Sequence, residues 1–160
     1  GNAADIAFNA AIDSAGKINV VGYSSNGSDV DIFAIRLNPD GTLASEFADG
    51  GCFVLDNVAG GNGDDKAYGC DLDSSGNLYI TGYSMNGQGN RDMMIIKLDS
   101  NGSLYEGFGT NGIILHDNAA GGNGNDVGRC IVVCSETEIY VCGYSIGVNG
   151  MYDSVVWKYK

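Results

Sequence analysis

The pentapeptide Gly143-Tyr144-Ser145-Ile146-Gly147 has the spacing of a nucleophile elbow. That chemistry needs a sharp strand-to-helix turn and a histidine that can take the serine proton. The chain has one histidine, His116, and the residues after Ser145 read as a loop. Gly-Tyr-Ser also stands at 22–24 and 82–84, where Asn26 and Asn86 replace the final glycine, so the serine reads as turn structure. A hydrolase built on Ser145 and His116 is therefore the weakest of three functional readings. Gly107-Phe108-Gly109-Thr110-Asn111-Gly112 has the spacing of a dinucleotide fingerprint. A helix should follow it and offer its N-terminus to phosphates, but Ile113-Ile114-Leu115 reads as a strand.

The carboxylates suggest calcium more than catalysis. Asp71-Leu72-Asp73-Ser74-Ser75-Gly76 resembles half of a calcium loop, yet the twelfth position is Gly82, where a bidentate glutamate belongs. A looser calcium site could use the loop pairs Asp29 with Asp31 and Asp64 with Asp65, hard oxygen ligands beside glycines. Against it, Asp5, Asp65 and Asp126, and likewise Asp31, Asp92 and Asp153, recur at strand starts, which fits side-chain bonds to loop amides. No other cofactor is expected. Tyr23, Tyr83 and Tyr144 occupy equivalent places beside loops, where aromatic faces could stack on sugars or simply pack with a wet hydroxyl. Asn26-Gly27-Ser28 and Asn101-Gly102-Ser103 are glycosylation sequons in turns. The five cysteines include no CxxC pair, which argues against zinc. Cys130 and Cys142 would face each other across a hairpin, as a link or as plain packing residues.

The bulk composition narrows the partners. Twenty Asp and Glu against eight Lys and Arg leave a net charge of −12, which repels nucleic acid and anionic membranes. No apolar run approaches the ~20 residues of a membrane helix. The opening residues Gly1-Asn2-Ala3-Ala4-Asp5 do not read as a secretion signal, so any signal is expected to have been removed ahead of them. Twenty-six glycines with one proline imply many tight turns.

The elements that must hold these residues repeat. Gly-Tyr-Ser at 22, 82 and 143, Asp5, Asp65 and Asp126, and Asp31, Asp92 and Asp153 all recur at offsets of 60 or 61 residues. Ala-Gly-Gly-Asn-Gly stands at 59–63 and again at 120–124. Each unit reads as four short strands. The first covers 6–12, 67–72 and 127–133, and the second 17–23, 77–83 and 138–144. The third covers 31–37, 92–98 and 153–159, and the fourth 52–55 and 113–115. Asp13-Ser14-Ala15-Gly16 and Asp73-Ser74-Ser75-Gly76 supply hairpin turns, whereas Ser135-Glu136-Thr137-Glu138 lacks the glycine and must turn differently. Asn38-Pro39-Asp40-Gly41 and Asp99-Ser100-Asn101-Gly102 close the third strands.

The reading is an all-β chain of tandem four-stranded antiparallel β-propeller blades, about three of them, with units at 1–60, 61–121 and 122–160. The third is expected to lack its fourth strand, giving eleven strands, and Gly1-Asn2 aligns with Gly61-Asn62 in mid-loop. A β-sandwich is the alternative. The segments Ala11-Ile12-Asp13-Ser14-Ala15-Gly16-Lys17-Ile18-Asn19-Val20-Val21-Gly22-Tyr23-Ser24 and Asp31–Leu43, with Leu72–Ser84 in the second unit, resemble the bacterial β-propeller repeats called SBBP and delta-60. The resemblance implies a propeller fold and a secreted or cell-surface protein, and it brings no catalytic residues.

The leading expectation is a non-enzymatic module for assembly or adhesion, self-assembling through open blade edges, since an uncovered edge strand is a pairing template. Its partners would be other copies of itself or further repeats of a parent chain. A glycan-binding propeller is the second reading.

Overall fold

The computed structural model describes residues 4–160; the Gly1-Asn2 alignment lies outside them. Eleven strands follow in order: β1 (Asp5–Ile12), β2 (Ile18–Ser25), β3 (Val30–Leu37), β4 (Cys52–Leu55), β5 (Gly60–Leu72), β6 (Leu78–Asn86), β7 (Arg91–Leu98), β8 (Ile113–His116), β9 (Asp126–Ser135), β10 (Glu138–Ile146) and β11 (Tyr152–Tyr159). They form three antiparallel sheets in chain order, β1-β2-β3-β4, β5-β6-β7-β8 and β9-β10-β11. Among the described residues each sheet uses only consecutive strands and three sheets stack in series, so the molecule is not a two-layered sandwich. We call the sheets blades A, B and C.

Local chemistry sets the hairpins. At the β1–β2 and β5–β6 turns, Asp13 and Asp73 accept the amides of Ala15 and Lys17, and of Ser75 and Asn77, at 2.9 Å. Gly16 and Gly76 then take φ of +80°. The glycine-free β9–β10 turn instead pairs Ser135 with Glu138 around two residues, neither with positive φ. The glycine of each Gly-Tyr-Ser has a different reason. A Cβ at Gly22, Gly82 or Gly143 would land inside the carbonyl oxygen of Ile6, Lys66 or Val127 on the neighbouring strand. That approach coincides with a bulge in each first strand, at Phe8, Tyr68 and Arg129.

The blades stack face to face. One side of A carries Val21, Ile32 and Ala34, and it packs on Leu78, Ile80, Met94, Ile96 and Leu98 of B. The opposite side of B carries Tyr79, Met93 and Ile95, and it packs on Ile131, Ile139, Val141 and Trp157 of C. Alternation along each strand assigns every residue to a leading face, toward the next blade, or a trailing face, toward the previous one. At both junctions a leading face meets a trailing face. Strands β6 and β7 are consequently buried on both sides, while β2, β3, β10 and β11 alternate.

Candidate functional site

The repeating aspartates and serines form one row per blade. Cross-strand register places Asp5–Ser24–Asp31, Asp65–Ser84–Asp92 and Asp126–Ser145–Asp153 side by side across the first three strands. In B the row receives the loop arriving from A. Asp65 accepts the amides of Val58 at 3.3 Å and Met85 at 3.2 Å, and Ser84 Oγ accepts that of Ala59 at 2.8 Å. In C, Asp126 accepts the amides of Asn118 at 2.9 Å and Ala119 at 3.2 Å, and Ser145 accepts that of Ala120 at 3.0 Å. In A the corresponding pair is exposed to part-exposed, and Ser24 Oγ donates to Asp5 at 2.5 Å.

This settles what the motif serine does in the fold. Ser145 is buried and accepts a loop amide, as Ser84 does. His116 packs its ring edge-on against Trp157, with centroids 6.0 Å apart. Burial pushes the Asp65 carboxyl above its ordinary range, partly offset by its bonds from Ser84 and the backbone. Asp31 and Asp92 are raised for the same first reason, and Asn26 and Asn86 hydrogen-bond them.

The residues read as candidate calcium ligands separate into two kinds. Asp64 pairs with Lys66 at 3.1 Å and Asp65 is committed to loop amides, so that pair does not converge. Asp29 and Asp31 do converge, both accepting from Asn26 Nδ2, with Asp56 raising Asp31 further. Among the described residues, no three His, Cys, Asp or Glu side chains gather closely enough to hold a metal ion.

The tyrosines belong to an aromatic and cationic row. Phe8, Tyr68 and Arg129, the three bulge residues, stack in sequence: Phe8 lies 5.0 Å from Tyr68, and the Arg129 guanidinium sits 4.2 Å over Tyr68. Tyr23, Tyr83 and Tyr144 flank them at 5.6, 5.9 and 5.6 Å. Lys66 and Arg91 cover Tyr23 and Tyr83 in turn. Tyr83 is buried and presents no face to a sugar. Tyr144 instead makes an edge-on pair with the exposed Tyr152 at 5.0 Å. The bulge row escapes motif reading because its positions recur at the repeat offset with three different residue types.

Each leading face also carries one cation at a fixed register position: Arg36, Lys97 and Lys158. Arg36 bonds Asn19 at 2.7 Å, lies 4.2 Å over Phe47, and donates to the Ser100 carbonyl of blade B at 2.6 Å. Lys97 is buried beside Asp73 at 3.7 Å and lies 4.0 Å over Tyr105. Lys158 bonds Glu138 at 2.7 Å in the open.

Among the described residues, two blade faces have no other blade against them. The trailing face of A presents Ile12, Ile18, Val20, Phe33, Ile35 and Val54, with Cys52 among them. The leading face of C presents Val132, Tyr140, Val156 and Lys158, with Cys130 directly opposite Cys142. Both of those cysteines are free thiols and exposed, unlike Cys70, whose burial between A and B pushes its thiol up to about 12.

Two segments, residues 16–47 and 74–108, match the family model described as "Domain of unknown function (DUF5122) beta-propeller". Each runs from a first hairpin turn through the second and third strands into the turn beyond. The chain thus carries β-propeller repeats, in agreement with the bacterial repeat resemblance. No curated protein matches the chain.

Proposed function

We propose that this chain is a non-enzymatic β-propeller-repeat module, secreted or held at a cell surface. It serves protein assembly or adhesion by joining other copies of itself or further repeats of a parent chain. The observation that carries this reading is the pair of bare blade faces. Val54 and Val156 are 55% and 68% exposed, at positions flanked by further apolar side chains. Contiguous apolar surface of this kind marks a place where another protein sits. The acidic balance turns away nucleic acid and anionic membranes. The repeating serines and aspartates, spent on loop amides, supply the joints rather than a reaction.

The test is static light scattering on the pure chain over a wide concentration range. Association supports joining to other copies; a clean monomer at high concentration ends that part of the reading. A glycan-binding reading draws on one feature, the Tyr144–Tyr152 pair beside the 147–151 loop. Silence on a glycan array, with and without calcium, would remove it.

A further inference from the structure

We infer that the bare trailing face of blade A and the bare leading face of blade C are two halves of one joint, so that a second copy docks head to tail. The inference rests on the assembly reading and names its partner and geometry. It follows from the two junctions inside the chain. At each, the leading face of one blade covers the trailing face of the next, with equivalent positions in contact. The trailing positions Leu78, Ile80, Met94 and Ile96 of B correspond to Ile18, Val20, Phe33 and Ile35 of A. The first set is fully buried under A; the second is only half-buried, with no other blade packed on it among the described residues. The leading positions Met93, Ile95 and Lys97 of B correspond to Ser154, Val156 and Lys158 of C.

Charge agrees with this pairing. Arg36 on the leading face of A reaches the Ser100 carbonyl in the turn after the third strand of B. The matching cation of C is Lys158, and the matching turn of A is Asn38-Pro39-Asp40-Gly41, with Pro39 in the place of Ser100. That turn is exposed and carries Asp40, a carboxylate for the lysine. A contact that joins unlike faces is heterologous, and it closes when the rotation completes a ring. For this 160-residue chain, two copies bring six blades together, within the usual range of four to eight, so a dimer is the closed species expected of it.

Multi-angle light scattering on the full chain and on two variants at exposed positions, Ile12→Lys on A and Val156→Glu on C, tests this. The wild type is expected at twice the chain mass of 16.6 kDa. Each variant is expected to fall to the monomer mass while keeping the wild-type circular dichroism. Because each variant spoils a different half of the joint, mixing them should restore a dimer through the intact halves. Should one variant lose folding, Leu37→Lys or Val132→Glu replaces it on the same face. A dimer lost with only one of the faces, or no recovery on mixing, means like faces meet and overturns the inference. Association that survives both variants overturns it while leaving the assembly reading standing. A monomeric wild type removes the inference together with the self-joining half of the assembly reading.

Discussion

Blade B and its two neighbours are built from the same strands in the same register, yet only B is covered on both sides. Ile95 in B and Val156 in C occupy one repeat position; the first is fully buried and the second is 68% exposed. The Asp–Ser rows repeat the contrast. Asp65 and Asp126 hold incoming loops by their backbone amides, while among the described residues Asp5 holds Ser24. A repeat protein's stability is a sum of unit terms and neighbour terms, and here the neighbour terms fall on one unit twice and on the others once. Position in the stack, not residue type, decides what each side chain contributes.

The largest effect should come from truncating that one position in both blades. At a dilution where the chain is monomeric, Ile95→Ala leaves a cavity at the B–C junction and is expected to cost about 3 kcal/mol, whereas Val156→Ala should stay within ~0.5 kcal/mol. Urea titration of the two variants at that dilution measures the gap, and equal losses there would show that C is as enclosed as B within one chain. Next comes the acceptor row. Asp126→Ala strands two loop amides and should cost about 2 kcal/mol, while Asp5→Ala should cost well under 1 kcal/mol. Thermal melts of both variants compare a filled joint with an empty one.

Acidity gives a smaller effect with a definite sign. Asp31, Asp65 and Asp92 have folded values raised above 3.8, chiefly by burial. A raised carboxylate favours the folded state most below its unfolded value, and that contribution is lost as pH climbs through the folded one. Relief of the net −12 charge on acidification acts the same way. The melting temperature should therefore rise by a few degrees as pH falls from 7.5 towards 4; a net fall over that interval would mean that lowered carboxylates such as Asp73 dominate its acid end. Smallest of all, Cys142→Val installs the residue that blade A has at Val21 and should leave the melt of the dilute, monomeric chain unchanged, since Cys142 is exposed and free there.

Much of this architecture was legible in the residues. The sixty-residue offsets located eleven strands because Gly22, Gly82 and Gly143 answer one steric demand, and the aspartates answer one backbone demand. Strand ends were less legible: β5 begins at Gly60, seven residues before its apolar part, because its polar stretch pairs with the end of β6. The bare faces could not be read at all. Alternation along Asp31–Leu37 gives two apolar sides, and nothing local says which of them a neighbour covers. The tyrosine positions were found, but their cationic covers came from the next blade (Lys66 over Tyr23), the neighbouring strand (Arg91 over Tyr83) and a bulge (Arg129 over Tyr144), contacts that no spacing encodes.

If the outer faces are joints, they are covered in solution. Association stabilises the folded state by mass action, so the melting temperature should depend on protein concentration. Scanning calorimetry from micromolar to near-millimolar chain should show it climbing steadily, with Ile12→Lys and Val156→Glu flat at the lowest wild-type value. A wild-type melting temperature that does not move across that range would contradict the claim that these faces are joints.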